Sequence, residues 1–257
     1  MPGKKYSRSL YNPLSDKPYK LSRSRIDNFQ NCPRCFYMHE RKGIKAPSGP
    51  AFNLNNAVDN LYKNEFDFYR KEKKPHPIMI KNKIDCIPYE NENLAEWRNA
   101  FKGIRYHDKK TNFIIFGGID DVWINKNEEL HIVDYKATAK QNFKPNFDTG
   151  WEVCYKRQIE IYQWLFKKNG FKVSDIGFII YANGKSDEKE FGGNLMFDEH
   201  LYPLKCDTNW VDKILEEMYE CLKSESLPST GGGWNGQGCE QCAYKKQLYE
   251  IFKSHVS

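Results

Sequence analysis

The sequence predicts an α/β protein with a mixed central sheet flanked by helices, and three observations support this prediction. Residues 117–136 read GGIDDVWINKNEELHIVDYK, two apolar, β-prone runs around a polar tip at 125–129, which is typical of a β-hairpin. A helical segment follows at 151–168, and two further β-prone runs come next, at 173–181 and 195–204. Because a hairpin pairs strands antiparallel and a helical crossover pairs them parallel, the sheet is mixed.

The chain begins with a basic segment. Residues 1–20 contain three prolines and five basic side chains, which predicts a flexible N-terminal arm. We expect the remaining residues, 21–257, to form a single domain whose core lies at about 51–205. The basic residues of the arm are Lys4, Lys5, Arg8, Lys17 and Lys20.

Helices are expected on both sides of the hairpin. Ser24 and Asp27 have the spacing of a capping box, which predicts the start of a short helix that ends near Cys32. A longer helix is expected at 52–71, because its apolar residues recur at helical spacing. Two further helices are expected, around 94–101 and at 209–222.

The hairpin concentrates charge on one face of the sheet. Folding the ribbon about Asn127 places Asp120 opposite Asp134, and residues that face each other across an antiparallel pair have Cβ atoms about 4.5–5.5 Å apart. Lys136 lies two residues beyond Asp134 and shares its face, whereas Asp121 points to the other face. Like charges in this position destabilise a sheet, so we expect a divalent cation with oxygen ligands between the carboxylates.

A purely structural interpretation competes with this one. In it, Asp134 and Lys136 form a surface ion pair worth roughly 0–1 kcal/mol, and Asp120 begins a turn. However, apolar residues precede both aspartates, and charges embedded in apolar strands cost more than charges on a solvated face. This pattern favours a functional site. The apolar residues are Ile114, Ile115, Phe116, Ile119, Leu130, Ile132 and Val133.

The charged hairpin is one of an ordered set of motifs. It holds G-x-I-D and V-D-Y-K, and it is preceded at 22–37 by S-x-S-x-I-x-x-F-x-x-C-P-x-x-F-Y. After it come Gln158-x-x-x-Tyr162 and, at 239–244, C-E-Q-C-A-Y. In this order, the set resembles the PD-(D/E)XK nuclease superfamily, in particular its RecB-like branch. The resemblance implies a restriction-endonuclease-like core and a metal-dependent nuclease activity.

The same resemblance, together with the charges, suggests roles for the hairpin residues. Asp120, Asp134 and the carbonyl group of Tyr135 would hold Mg²⁺ or Mn²⁺, which polarises the scissile phosphate and lowers the pKa of a bound water. Lys136 would orient that water or stabilise the charge that develops on the phosphate. Whether Lys136 also acts as a base depends on burial and on its neighbours, which the sequence does not give.

Two helices supply further candidates. Gln158 and Tyr162 are one helical turn apart and would position the DNA or a metal-bound water, or else form a packed helix face with a polar tip. Asp59 lies where the family often places a histidine on a helix. Aspartate is also a competent hard ligand, so Asp59 is either a further metal ligand or a solvent-facing helix residue.

The eight cysteines fall into two kinds. Four are isolated in the sequence and are expected to be buried as small hydrophobic residues: Cys86, Cys154, Cys206 and Cys221. The others form two C-x-x-C pairs: Cys32 with Cys35, and Cys239 with Cys242. We expect their four thiolates to form one metal site that joins the two terminal regions, 22–37 and 231–257. A tetrahedral four-thiolate site suits zinc or iron–sulfur chemistry.

The sequence leaves the metal at these cysteines open. In the RecB-like branch, one N-terminal and three C-terminal cysteines hold a [4Fe-4S] cluster. Here Leu248 stands where the third C-terminal cysteine is expected, and Cys35 would replace it. The resemblance therefore implies a [4Fe-4S] cluster, whereas the symmetric two-plus-two spacing fits Zn²⁺ equally well.

Composition bears on partners and location. The chain has a formal net charge of +6 over 257 residues and a pI near 8.7, which is consistent with a polyanionic partner. No apolar run is long enough for a membrane span, and the first residues lack the apolar core of a secretory signal. We therefore expect no membrane association and a cytoplasmic location.

The expected function is that of a Mg²⁺- or Mn²⁺-dependent deoxyribonuclease. It would hydrolyse single-stranded or end-containing DNA in repair, recombination or defence, with a helicase or a CRISPR-system protein as a further kind of partner. Two alternatives are a catalytically silent DNA-binding module and a metal-stapled protein-interaction factor. The complete set of Asp120, Asp134 and Lys136 argues against the silent module, which has no need to keep these charges.

Overall fold

The computed structural model describes residues 10–45, 49, 52–233 and 236–256. Two compact units are distinguished within it, and the single domain expected at 21–257 stays a prediction. The cysteine unit comprises Met1–Ser48, His107–Ile114 and Asp212–Ser257. The sheet unit comprises Gly49–Tyr106 and Ile115–Val211, which includes most of the expected core at 51–205. Segments distant in sequence build the cysteine unit, so sequence alone did not separate it from the rest.

The described residues contain eight helices and eight strands. The helices are α1 Arg23–Asn31, α2 Pro33–Lys42, α3 Asn53–Lys71, α4 Pro77–Lys81, α5 Leu94–Trp97, α6 Val153–Lys168, α7 Trp210–Lys223 and α8 Glu240–Val256. The strands are β1 Tyr19–Ser22, β2 Cys86–Pro88, β3 Ile104–Asp108, β4 Phe113–Gly117, β5 Asp121–Asn125, β6 Leu130–Thr138, β7 Ile176–Gly184 and β8 Phe197–Lys205. Among these helices, none has an apolar stretch long enough to cross a membrane.

The larger sheet is mixed, as predicted. Its five strands lie in the order β2-β5-β6-β7-β8, and only the β6–β7 pair is parallel. This parallel pair results from the crossover through α6, whereas the hairpin from β5 to β6 is antiparallel. Asp121 pairs with Val133, so the predicted fold of the hairpin about Asn127 is confirmed. A second sheet has three strands in the order β1-β4-β3.

Helices cover both faces of the five-stranded sheet. Tyr62 and Phe66 of α3 pack against Tyr135 of β6, with ring centroids 5.1 and 5.5 Å apart. Gln158 of α6 instead hydrogen-bonds Asp134, which points to the opposite face because side chains alternate along a strand. The predicted α/β architecture with flanking helices is therefore confirmed.

Aromatic packing stabilises the α3 face of the sheet. Trp123 of β5 is fully buried and contacts Phe66 and Phe178, with ring centroids 5.5 and 5.1 Å apart. Full burial of side chains of this size contributes about 1.5–3 kcal/mol each. Strands β5 and β6, which carry the polar residues of the hairpin, are thus packed against a buried apolar layer.

The expected flexible arm at 1–20 is wrong for its second half. Residues 1–9, with Lys4, Lys5 and Arg8, lie outside the described residues. Residues 10–20 are ordered: the Tyr11 N–H donates to the carbonyl of Glu40 at 2.9 Å, and Tyr19 and Lys20 lie in β1. The rings of Tyr11 and Tyr19 pack edge to face at 5.2 Å, and this aromatic contact fixes a segment whose basic residues suggested mobility.

The predicted capping box at Ser24 is also wrong. Helix α1 begins at Arg23, and its N-cap, Ser22, makes no side-chain cap hydrogen bond. Asp27 instead pairs with Arg23 at 2.6 Å, one turn earlier on the same helix. An i,i+4 ion pair has therefore taken the acidic side chain that the capping motif required.

Candidate active site

Asp120 lies at the end of the loop that leads into β5. Its Oδ2 accepts a hydrogen bond from the Tyr135 N–H at 2.9 Å, and its Oδ1 is 3.2 Å from the ammonium of Lys63. The Nε–H of Arg98 donates to the Asp120 carbonyl at 2.9 Å, which fixes the backbone here. The predicted proximity of Asp120 to the Asp134 strand is therefore present in the structure.

Asp134 is the most buried carboxylate of the site, with 1% of its surface exposed. Its Oδ1 accepts a hydrogen bond from Gln158 Nε2 at 2.6 Å, and its Oδ2 pairs with the ammonium of Lys136. The Lys136 ammonium also lies 4.7 Å from the centre of the Tyr155 ring. Strand β6 and helix α6 thus enclose one carboxylate and one cation in a largely apolar setting.

Helix α3 brings Asp59 to the same place. The Lys63 ammonium bridges Asp59 and Asp120, at 2.6 Å from Asp59 Oδ2 and 3.2 Å from Asp120 Oδ1. The other oxygen of Asp59, Oδ1, is buried and has no hydrogen-bond partner among the described residues. Asp59 is therefore a component of the carboxylate cluster, not the solvent-facing residue that the sequence left open.

The charges at the site shift its pKa values in opposite directions. Burial and the charge of Asp120 raise the pKa of Asp134 to about 7, although Lys136 opposes this. Burial also raises the pKa of Asp120, but Lys136 and Lys63 outweigh it, and the net pKa is lowered. Burial lowers the pKa of Lys136, yet the two carboxylates raise it overall, so this lysine stays an ammonium. The cluster is thus short of positive charge, and a dication would supply it.

The two motif residues of α6 hold the site together. Gln158 binds Asp134 directly, as described above, while the Tyr162 hydroxyl donates to the Gly118 carbonyl at 2.6 Å in the loop before Asp120. Tyr162 is 3% exposed. The structure therefore brings both predicted residues to the site, and their contacts are with its protein framework.

Asp121 points to the opposite face of the sheet, as predicted. It pairs with Arg70 and lies 3.3 Å from Arg98, and it accepts a hydrogen bond from the Tyr135 hydroxyl at 2.8 Å. Arg98 also binds both oxygens of Asp67, at 2.9 and 2.8 Å. Through Arg98, which donates to the Asp120 carbonyl, this buried network holds the backbone of Asp120 in place.

Sequence reasoning missed Lys63 and Arg98 as site residues. Lys63 is one helical turn from Asp59, and this i,i+4 spacing was the only local signal. Arg98 follows α5 and offered no such signal, because its acceptors lie far from it in sequence, on Asp67 of α3 and on the consecutive residues Asp120 and Asp121.

The four paired cysteines assemble, as predicted, within the cysteine unit. Their Sγ atoms all lie within 4.8 Å of one another, and the Cys32–Cys242, Cys35–Cys239 and Cys35–Cys242 pairs are 3.6, 3.6 and 3.5 Å apart. The isolated Cys86 and Cys206 are buried, whereas Cys154 and Cys221 are only partly buried. The predicted burial is therefore confirmed for two of the four isolated residues.

Backbone amides support one of the thiolates. The Gly231 N–H points at Cys32 Sγ from 3.4 Å, and the Cys35 N–H points at it from 3.5 Å. Burial raises the pKa of the Cys32 thiol, but these two N–H groups lead the contacts that bring it down to about 7. Gly231 lies so close to Asn31 that a Cβ would collide with the carbonyl oxygen of that residue.

A family match covers most of the chain. The sequence model of the PD-(D/E)XK nuclease superfamily matches residues 20–247. No curated protein matches the chain. The crystal structure of SSO0001 is similar at 15% sequence identity and a TM-score of 0.36, in a match that covers 83% of this chain and 81% of that one.

Proposed function

The chain belongs to the PD-(D/E)XK nuclease superfamily, and on this premise we propose that it is a Mg²⁺- or Mn²⁺-dependent deoxyribonuclease of the RecB-like branch. Its substrate would be single-stranded or end-containing DNA. One observation carries the proposal: Asp120, Asp134 and Lys136 converge at one place on the sheet. A module that only bound DNA would have no use for two carboxylates facing a polyanion.

The donor set fits a hard dication. Asp120, Asp134 and the carbonyl of Tyr135 would hold the metal, and the unpartnered Oδ1 of Asp59 offers one more oxygen. When bound, Mg²⁺ or Mn²⁺ polarises the phosphate and lowers the pKa of a bound water. Lys63 neutralises Asp59 and Asp120, so it competes with the metal for both carboxylates.

Lys136 would act as a cation in this reaction and not as a base. Its pKa is raised overall, because burial, which lowers it, is outweighed by Asp134 and Asp120. A permanently charged ammonium beside the phosphate stabilises the charge that develops there. Gln158 fixes one oxygen of Asp134 and so leaves the orientation of that carboxylate well defined.

We test the proposal with the isosteric change Asp134→Asn and with Asp134→Ala. With Mg²⁺ or Mn²⁺, the wild-type protein should cleave end-labelled single-stranded DNA, and each variant should lose at least about 100-fold in rate. The control is Asp85→Asn, an exposed acid of the same unit, which should leave the rate unchanged. Cleavage that persists undiminished in a folded Asp134→Asn protein would refute the assignment.

For the four cysteines, we propose a single tetrahedral metal ion, with zinc as the metal that fits. Zn–S bonds of about 2.3 Å place the sulfurs of a tetrahedron about 3.8 Å apart. Three of the six sulfur–sulfur separations are 3.5–3.6 Å and all lie within 4.8 Å, which supports this arrangement. A [4Fe-4S] cluster binds each thiolate to a different iron, so its sulfurs lie farther apart. Metal analysis should find about one zinc per chain in a colourless protein, and a brown protein with iron would overturn this assignment.

Partners and location are part of the same proposal. A nuclease for unpaired DNA needs strands that have been separated, which supports a helicase or a CRISPR-system protein as a partner. The proposed four-thiolate metal site supports a reducing compartment such as the cytoplasm, where disulfides are disfavoured.

A further inference from the structure

The loop between β6 and α6 is tied down beside the carboxylate cluster. The backbone N–H and carbonyl of Lys140 both bind the side chain of Asn183, at 2.9 and 3.1 Å. The buried carboxylate of Glu152 accepts from the Lys140 ammonium at 3.1 Å and from the Asn146 N–H at 2.8 Å. Both ends of the loop are therefore fixed by side-chain hydrogen bonds.

This loop presents an exposed tryptophan. Trp151 keeps 46% of its surface exposed. The Lys140 ammonium lies 4.6 Å from the centre of its ring. The ring of Tyr155 meets it edge to face at 5.2 Å, and Tyr155 in turn contacts the Lys136 ammonium at 4.7 Å. A chain of three side chains therefore connects the exposed indole to the lysine of the site.

The position of Trp151 follows from the helix that carries the motif residues. Tyr155, Gln158 and Tyr162 are spaced i, i+3 and i+7, so they share one face of α6. Trp151 lies one turn before Tyr155 and extends this row beyond the start of the helix. Single exposed aromatic residues are common on proteins, but this one is held beside the Lys140 ammonium and in line with the site.

We propose that Trp151 is a stacking platform for one unpaired base of the DNA strand whose backbone enters the site. This inference rests on the proposed nuclease function. Aromatic side chains bind unpaired bases by stacking, with little dependence on sequence, while adjacent cations neutralise the phosphates. In a duplex, the faces of the bases are already stacked on their neighbours. Trp151 with Lys140 therefore selects single strands.

The test compares Trp151→Ala with Trp151→Phe and with a matched control, Phe101→Ala, which removes a ring that is 91% exposed in the same unit. Binding to a fluorescent single-stranded oligonucleotide and to its blunt duplex is measured by anisotropy in EDTA. We expect Trp151→Ala to lose at least about fivefold in affinity for the single strand and much less for the duplex. Trp151→Phe should retain most of the affinity, and Phe101→Ala should match the wild type.

A scan of abasic nucleotides makes the test independent of whether the alanine variant folds well. With wild-type protein, removal of one particular base should weaken binding about as much as Trp151→Ala does. With Trp151→Ala, removal of that same base should have no further effect. Equal losses for Trp151→Ala and Phe101→Ala, or no sensitive position in the scan, would overturn the platform. Wild-type cleavage with Mn²⁺ is scored separately, so failure of the nuclease proposal is a different result.

Discussion

The carboxyl group of Asp134 couples metal activation to pH. Burial leads the effects that raise its pKa to about 7, so below that pH the group carries a proton that a metal must displace. We expect the Mn²⁺ concentration for half-maximal cleavage to rise by up to about tenfold per pH unit below pH 7 and to level off above it. Metal titrations at several pH values check this, and a half-maximal concentration that is independent of pH contradicts it.

The same group links stability to pH when metal is withheld. Its folded-state pKa lies above the unfolded value, so its contribution to stability is present at acidic pH and is lost as the pH rises through about 7. Asp134→Asn removes this titration. The melting temperature of the wild-type protein in EDTA should therefore fall relative to that of Asp134→Asn between about pH 5 and pH 8.

Gly231 brings the backbone close to the cysteine site. Because a Cβ at this position would collide with the carbonyl of Asn31, we expect Gly231→Ala to displace the N–H that supports Cys32 and to release the metal. Gly232→Ala is the matched control, since the nearest atom to its added Cβ is 3.4 Å away. A colorimetric zinc-release assay compares them, and equal retention of metal would show that the close approach is unimportant.

The pairing of Asp120, Asp134 and Lys136 was predictable because it depends on two local rules. Side chains alternate along a strand, and a short polar tip sets the register of a hairpin. Lys63 and Arg98 follow neither rule, because their contacts with Asp120 join segments that are distant in the sequence. The row from Trp151 to Tyr162 was visible as helical spacing, but its relation to Lys136 required the packing of α6 on β6.

Helix α6 anchors the loop that ends in Asp120. Its Tyr162 hydroxyl binds the Gly118 carbonyl at 2.6 Å, two residues before the carboxylate. We expect Tyr162→Phe to slow cleavage about tenfold or more, because the loop loses its anchor while the ring keeps its packing. Tyr106→Phe in the same unit serves as the control. Unchanged cleavage by Tyr162→Phe would assign the hydroxyl to stability alone, which a melting curve detects.

Elements were predicted best where periodic patterns were long. The segments expected at 52–71 and 151–168 correspond to α3 and α6, and the hairpin strands correspond to β5 and β6. Helices α2, α4 and α8 were not predicted, and the basic composition of residues 1–20 concealed β1. Tyr19 of β1 packs against Phe113, which is far away in the sequence, and a local pattern does not contain this contact.

The four-cysteine site is a property of the whole chain, since its two pairs are separated by more than two hundred residues. A cross-link that closes a loop of this length removes about 5 kcal/mol of unfolded-state entropy in the chain-entropy description. We therefore expect Cys239→Ser to lose metal and to lower the melting temperature and the soluble yield. Cys221→Ser, a partly buried cysteine outside the cluster, is the control.

The cleavage assay separates structural from chemical roles of this site. In the folded fraction of Cys239→Ser, cleavage should persist, because the proposed reaction uses oxygen ligands and Lys136 in the sheet unit. Loss of cleavage from a fully folded Cys239→Ser protein would place the cysteines in the reaction.

During translation, the first two cysteines of the site are made well before the last two. A ribosome makes Cys32 210 residues ahead of Cys242, a delay of roughly 10–40 s at typical rates of translation. During that delay, Cys32 and Cys35 form an open dithiol that oxidants can attack. Oxidative stress should therefore damage chains that are still being synthesised more than finished molecules, in which the proposed metal would hold all four thiolates.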